Sequence, residues 1–215
     1  MRSILVLGLL AALTVVAVES LECAQCYSFS PDCNADPSPC PEDASGSCCT
    51  SSASWPVDGE LKSYHEKFCS GLPAGTSLGF AIRVTGQKPA WFTTHCSQET
   101  CSAMSLAEDF PESGSGNTQC PACLGSNVTS CVGTPQTCNA GEQCIDLYAE
   151  VVVGGAVQYR LALKGCSSIK EAACNYLSAG NIAVGNVVFR HLQCSPALPS
   201  SATCSSGLGP ATLHS

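Results

Sequence analysis

The sequence predicts an all-β, disulfide-rich chain made of two tandem copies of one small module. The first observation is the cysteine count, 18 in 215 residues. The second is their spacing. Cys23, Cys26, Cys33, Cys40, Cys48 and Cys69 follow C-x2-C-x6-C-x6-C-x7-C-x20-C, and Cys120, Cys123, Cys131, Cys138, Cys144 and Cys166 follow C-x2-C-x7-C-x6-C-x5-C-x21-C. Six cysteines agreeing so closely at every gap mark an internal duplication. The third is strand-like alternation of apolar and polar residues, interrupted by Asp-Gly and Gly-Gly pairs that turn hairpins tightly.

The order of segments follows from composition. Residues 1–20 read as a signal peptide. Arg2 precedes an apolar run from Ile4 to Val18, and Val18-Glu19-Ser20 offers a cleavage site before Leu21. Secretion makes the cysteines disulfides rather than free thiols. Module one spans 21–111. A Gly/Ser-rich linker occupies 112–119, module two 120–195, and a Ser/Pro-rich tail 196–215. No apolar tail follows Ser195, so the expectation is a secreted, extracellular protein without a lipid anchor. Modules of roughly 75–90 residues bury too little surface to be secure alone. Crosslinks of about 2–4 kcal/mol each supply the difference.

Hairpins are expected at definite places. In module two, Ile145, Leu147, Ala149, Val151 and Val153 alternate toward Gly154-Gly155, and Val157, Tyr159, Leu161 and Leu163 return. A second hairpin runs from Asn181 to Leu192 and turns near Gly185-Asn186. In module one, Asp58-Gly59 turns a hairpin between Cys48 and Cys69. Phe80, Ile82 and Val84 lead to Gly86-Gln87-Lys88-Pro89, with Ala90 to Thr94 returning. Helical periodicity is confined to a turn around Ile169 to Leu177.

The formal net charge is −8 and the charged fraction 12%. A basic stripe for nucleic acid is absent, as is a polybasic membrane segment. A cationic partner is favoured at long range, although such a charge also serves solubility alone.

Residue constellations that carry chemistry are weak. Gly75-Thr76-Ser77-Leu78-Gly79 matches G-x-S-x-G, but that chemistry needs a strand-to-helix elbow over a parallel sheet, for which a short β-rich module has no room. The C-x2-C pairs Cys23/Cys26 and Cys120/Cys123 lie in different modules without histidines at ligand spacing, so staples are expected rather than zinc or a redox dithiol. His65, His95, His191 and His214 are scattered. No catalytic residue, metal or cofactor is assigned. Asn127-Val128-Thr129 is an N-glycosylation sequon in an expected loop. Trp55, beside the Asp58-Gly59 tip with Glu60, is either an exposed partner-binding anchor or a packing residue. Trp91 is read as packing.

Leu21-Glu22-Cys23-Ala24-Gln25-Cys26 resembles the opening of three-finger domains of the Ly-6/urokinase-receptor family. Cys120-Pro121-Ala122-Cys123 and Leu163-Lys164-Gly165-Cys166 are similar to motifs in the C-terminal domain of gamma-type phospholipase A2 inhibitors, which are secreted and carry two such domains. The resemblance implies two tandem three-finger (snake-toxin-like) domains. It also implies a non-enzymatic binding protein whose partner is a secreted phospholipase A2, inhibited by occlusion, or a cell-surface receptor. Two-domain proteins of the sodefrin-precursor type are an alternative, with a signalling or pheromone role. A homo-oligomer is compatible with either.

The resemblance further implies disulfides Cys23–Cys48, Cys26–Cys33, Cys40–Cys69 and Cys96–Cys101 in module one. In module two it implies Cys120–Cys144, Cys123–Cys131, Cys138–Cys166 and Cys174–Cys194. Module one departs from the family in lacking a counterpart of Cys174 and carrying His95 where an adjacent cysteine pair begins. Cys49 and Cys204 are then spare, either paired with each other or bridging two chains. The choice of Cys48 over Cys49 rests only on gap length, and Cys194–Cys204 with Cys174 spare stays open.

Overall fold

Fourteen strands account for most of the residues described by the computed structural model, which are 20–98 and 115–199. The leader, Cys101, Glu108, Asp109, Glu112, Cys204 and His214 lie outside that range. Module one contains β1 (Glu22–Ala24), β2 (Cys26–Ser28), β3 (Pro37–Pro39), a 3-10 turn (Glu42–Ala44), β4 (Ser47–Val57), β5 (Glu60–Ser70), β6 (Ser77–Arg83) and β7 (Ala90–Ser97). Module two contains β8 (Ser115–Gly125), β9 (Thr134–Asn139), β10 (Gln143–Val153), β11 (Ala156–Ser167), α1 (Glu171–Leu177), β12 (Ile182–Val184), β13 (Val187–Ser195) and β14 (Leu198–Pro199).

Hairpins form where the turn residues allow them. Val57 pairs with Glu60 across Asp58-Gly59, whose φ angles are 52° and 83°. Val153 pairs with Ala156 across Gly154-Gly155, at 58° and 79°. Positive φ at both central residues gives a turn whose twist matches the strands it joins. Along β10, Ile145, Leu147, Ala149 and Val151 are buried while Asp146 and Tyr148 face outward. This is the period-2 pattern of a half-buried strand.

Three antiparallel hairpins leave each module's disulfide base. In module two, Cys120, Cys138, Cys144 and Cys166 are buried together and make the links Cys120–Cys144 and Cys138–Cys166. Module one repeats this with Cys23–Cys48 and Cys40–Cys69. Cys26–Cys33 and Cys123–Cys131 close the first loops, and Cys174–Cys194 ties α1 to β13.

The fourth link of module one is Cys49–Cys96, not Cys96–Cys101. The reason is register. Cys49 and Cys96 are directly opposed on β4 and β7, with Cα atoms 4.0 Å apart. Successive side chains on a strand point to opposite faces, so Cys48 and Cys49 serve two different bonds. Cys49 is therefore neither spare nor available to Cys204 or to a second chain.

The modules are not beads on a string. One sheet runs β12-β13-β10-β11-β6-β7-β4-β5-β2, and β11 joins β6 through Cys166↔Arg83 and Ser167↔Ile82. Arg83 reinforces the join with a two-pronged ion pair to Glu142, at 2.8 and 2.5 Å. The apolar faces then close on each other. Trp55, Phe80 and Phe92 of module one share a single core with Leu147, Val151 and Phe189 of module two. Phe189 meets Phe92 edge to face at 5.1 Å. Two small modules thus make one larger core. Each fully buried aromatic or aliphatic side chain contributes about 1.5–3 kcal/mol.

Candidate partner-binding groove

An opening of about 760 Å³ lies where the β4–β5 fingertip of module one passes across β11 and the β8–β9 loop of module two. Trp55 and Asp58 form one wall, and Asn127, Tyr148, Tyr159 and Arg160 form the other. Both modules are needed to build it.

Trp55 is 2% exposed and packs edge-on to Tyr159, with ring centroids 5.4 Å apart. It is the floor of the groove rather than a projecting anchor. Asp58, in the tight turn, and Glu60, just after it, are exposed and make no ion pair among the described residues. Arg160 is engaged by Glu150 at 3.2 Å, and Glu150 also holds Arg190 at 2.8 Å. The Arg190 hydrogen bond outweighs burial, and with those of Tyr148 and Arg160 it holds the Glu150 carboxyl below the ordinary range. Glu150's single charge is thus shared between two guanidiniums, and Asp58 is the lining carboxylate left without an ion pair among the described residues.

Asn127 sits on the groove wall in an exposed turn. Its side-chain carbonyl accepts from Thr129 Oγ1 at 2.7 Å and from the Ser130 N–H at 2.8 Å. That orientation leaves Nδ2, the glycan-accepting atom, without a hydrogen bond among the described residues. Val128 and Val132 beside it are 56% and 76% exposed.

The remaining candidates resolve structurally. Ser77 is exposed and opens strand β6, so it occupies no strand-to-helix elbow, although His95 faces it in register on β7. His65 accepts from or donates to Ser52 Oγ at 2.9 Å, and burial lowers its pKa. Trp91 is half-buried on the far face of β7, while Phe92 is core. The cysteine clusters with sulfurs close together, Cys23/Cys40/Cys69 and Cys120/Cys138/Cys166, consist of disulfide sulfurs, which cannot act as thiolate ligands. No helix among the described residues is long and apolar enough to cross a membrane.

Sequence reasoning missed Glu66. This β5 residue is 2% exposed yet has no cation partner among the described residues. Its alternation with Tyr64 on the inward face of β5 was the available signal.

The u-PAR/Ly-6 domain model matches residues 19–105 and 116–197. Ly6/PLAUR domain-containing protein 8 of Mus musculus is 37% identical over 201 residues, covering 90% of this chain and 75% of that protein. The Bos taurus protein of the same name is 35% identical over 200 residues, covering 90% and 84%. Mouse TEX101 aligns structurally over 81% of this chain and 96% of its own, with 20% identity and a TM-score of 0.37. Two matched segments and two relatives at these identities establish that the chain belongs to the u-PAR/Ly-6 family, with two such domains in tandem.

Proposed function

We propose that this chain is an extracellular, non-enzymatic binding protein that seats a cationic segment of a protein partner in the groove between its modules. The carrying observation is the composite wall: an aromatic floor of Trp55 and Tyr159 beside Asp58, a lining carboxylate with no ion pair among the described residues, with the exposed Glu60 two residues along the same fingertip. The half-buried rings of Tyr148 and Tyr159 supply contact area at little entropic cost, Trp55 holds Tyr159 from beneath, and the fingertip carboxylates steer encounter. Family membership supports protein binding as the mode of action. N-glycosylation at Asn127 would set the edge of the groove, because the acceptor lies on its wall.

The partner we propose is a secreted phospholipase A2, inhibited by occlusion of the surface through which it reaches lipid. This rests on the similarity of Cys120-Pro121-Ala122-Cys123 and Leu163-Lys164-Gly165-Cys166 to motifs of gamma-type inhibitors. Glu108, Asp109 and Glu112 would add to the acidic charge. The test is phospholipid hydrolysis by a panel of secreted phospholipases A2, with and without the purified glycosylated protein. Dose-dependent inhibition together with direct binding supports the reading. Absence of both across the panel excludes phospholipase inhibition and directs the search to a cell-surface receptor.

A further inference from the structure

We propose that Glu66 is a proton-operated latch that fastens module one to the β12–β13 turn of module two. The sheet order begins at β12 and ends at β2, and the regions near its two ends meet at this residue. Glu66 accepts the backbone N–H of Asn186 at 3.1 Å on one carboxylate oxygen and 2.9 Å on the other. Tyr64 Oη donates to Glu66 Oε2 at 2.9 Å, and Asn186 Nδ2 donates to Tyr64 Oη at 2.9 Å. Gly185, at φ 60°, presses its α-carbon against the carboxylate so closely that no β-carbon would fit. Side-chain acceptance thus closes a seam that no strand pairing closes.

The groups around the carboxylate decide its charge. From β2, Tyr27 faces it in register, and from β4, Ser51 does so. From its own strand comes Tyr64, and from the turn come Gly185 and Asn186. None is cationic, and His65 next to it on β5 points to the opposite face and pairs with Ser52. A buried carboxylate without a cation favours its neutral form. Burial is the dominant influence, only partly offset by the Asn186 and Tyr64 hydrogen bonds, and it pushes Glu66 from 4.5 up to about 7.

The sign follows from the raised value. The folded state binds the proton more tightly than the unfolded chain, so the contribution is complete below the ordinary carboxylate pKa and is lost as pH rises through about 7. The latch is closed in mildly acidic surroundings and loosened in alkaline ones. Tyr64 also touches Phe29 at 5.2 Å, and Phe29 touches Tyr159 of the groove at 5.2 Å. Any effect on partner binding rests on the groove reading; the latch itself does not.

The test is hydrogen exchange of the full chain, reading protection factors at Asn186 and Val187, corrected for intrinsic rate, from pH 5 to pH 8.5. Wild type should lose protection by up to about a hundredfold over that range. Glu66→Gln, neutral throughout, should remove the pH dependence. Tyr64→Phe removes a donor to the ionised carboxylate, so it should move the midpoint to higher pH, a displacement that a merely space-filling role would not produce. PH-independent protection in wild type overturns the latch. If Glu66→Gln does not fold, the Tyr64→Phe midpoint decides: an unmoved midpoint overturns it. Because no partner enters this readout, failure of the groove would leave the result standing.

Discussion

Gly165 of β11 lies against the backbone carbonyl of Arg83 at the end of β6, with no room between them for a β-carbon. Arg83 is the residue through which β6 pairs with Cys166, so the glycine is a condition of the edge-to-edge join. Gly165→Ala should push the strands apart and destabilise the chain by about 1–3 kcal/mol, because backbone cannot yield as a flexible side chain can. Chemical denaturation measures the loss. Red-shifted tryptophan emission in the native baseline would report exposure of Trp55 as the modules part.

A second expectation concerns the Cys49–Cys96 link. The double replacement Cys49→Ala with Cys96→Ala should lower stability by about 2–4 kcal/mol, since a crosslink across 47 residues restricts the unfolded chain substantially. Non-reducing peptide mapping should recover a peptide pair containing these two cysteines. Recovery of Cys96 joined to Cys101 instead would contradict the strand register of β4 and β7.

These two features show what was readable from the sequence and what was not. The hairpins at Asp58-Gly59, Gly154-Gly155 and Gly185-Asn186 were legible because each turn requires particular residues at fixed offsets. The strands around Pro121 and Pro135 were not. They pair opposite each other in β8 and β9, and proline both lacks an N–H and breaks the alternation on which strand reading depends. Cys49 was misassigned because gap length carries no register, and register only exists once β4 and β7 are side by side. The groove was out of reach for the same reason. Trp55 and Tyr159 are more than a hundred residues apart, and their contact depends on the face-to-face closure of the modules.

The Arg83–Glu142 ion pair should give the module boundary a second pH dependence, opposite in sign to that of Glu66. Burial alone would raise Glu142. The Arg83 hydrogen bond, the Asn139 N–H and the guanidinium charge together overcome it and hold the carboxyl below its ordinary value of 4.5. Stability from Glu142 is thus present above the ordinary carboxylate range and is lost as pH falls through the folded value. Glu142→Gln should cost about 1–3 kcal/mol at neutral pH, because it weakens a charge-assisted pair. It should also flatten the acid limb of the stability profile. Equilibrium denaturation from pH 3 to pH 7 measures both. An acid limb unchanged in the variant would assign the low-pH loss to other carboxylates.

Floor and rim of the groove should separate experimentally. Trp55→Ala removes a side chain that is 2% exposed and belongs to the shared core, so it should destabilise by about 3–5 kcal/mol, and its loss of binding would report folding. Asp58→Asn should leave thermal stability unchanged, since the side chain is exposed and Asn also tolerates the positive φ of 52°. If the rim steers a cationic partner, Asp58→Asn and Glu60→Gln together should slow association and reduce its salt dependence, while dissociation changes little. Surface plasmon resonance against any phospholipase A2 that proves to be inhibited, at low and at physiological ionic strength, reads the two rates directly. A faster dissociation with unaltered association would place these carboxylates in the bound contact itself. Unchanged rates would remove the acidic rim from the recognition surface and leave the aromatic wall of Tyr148 and Tyr159 as the element to vary next.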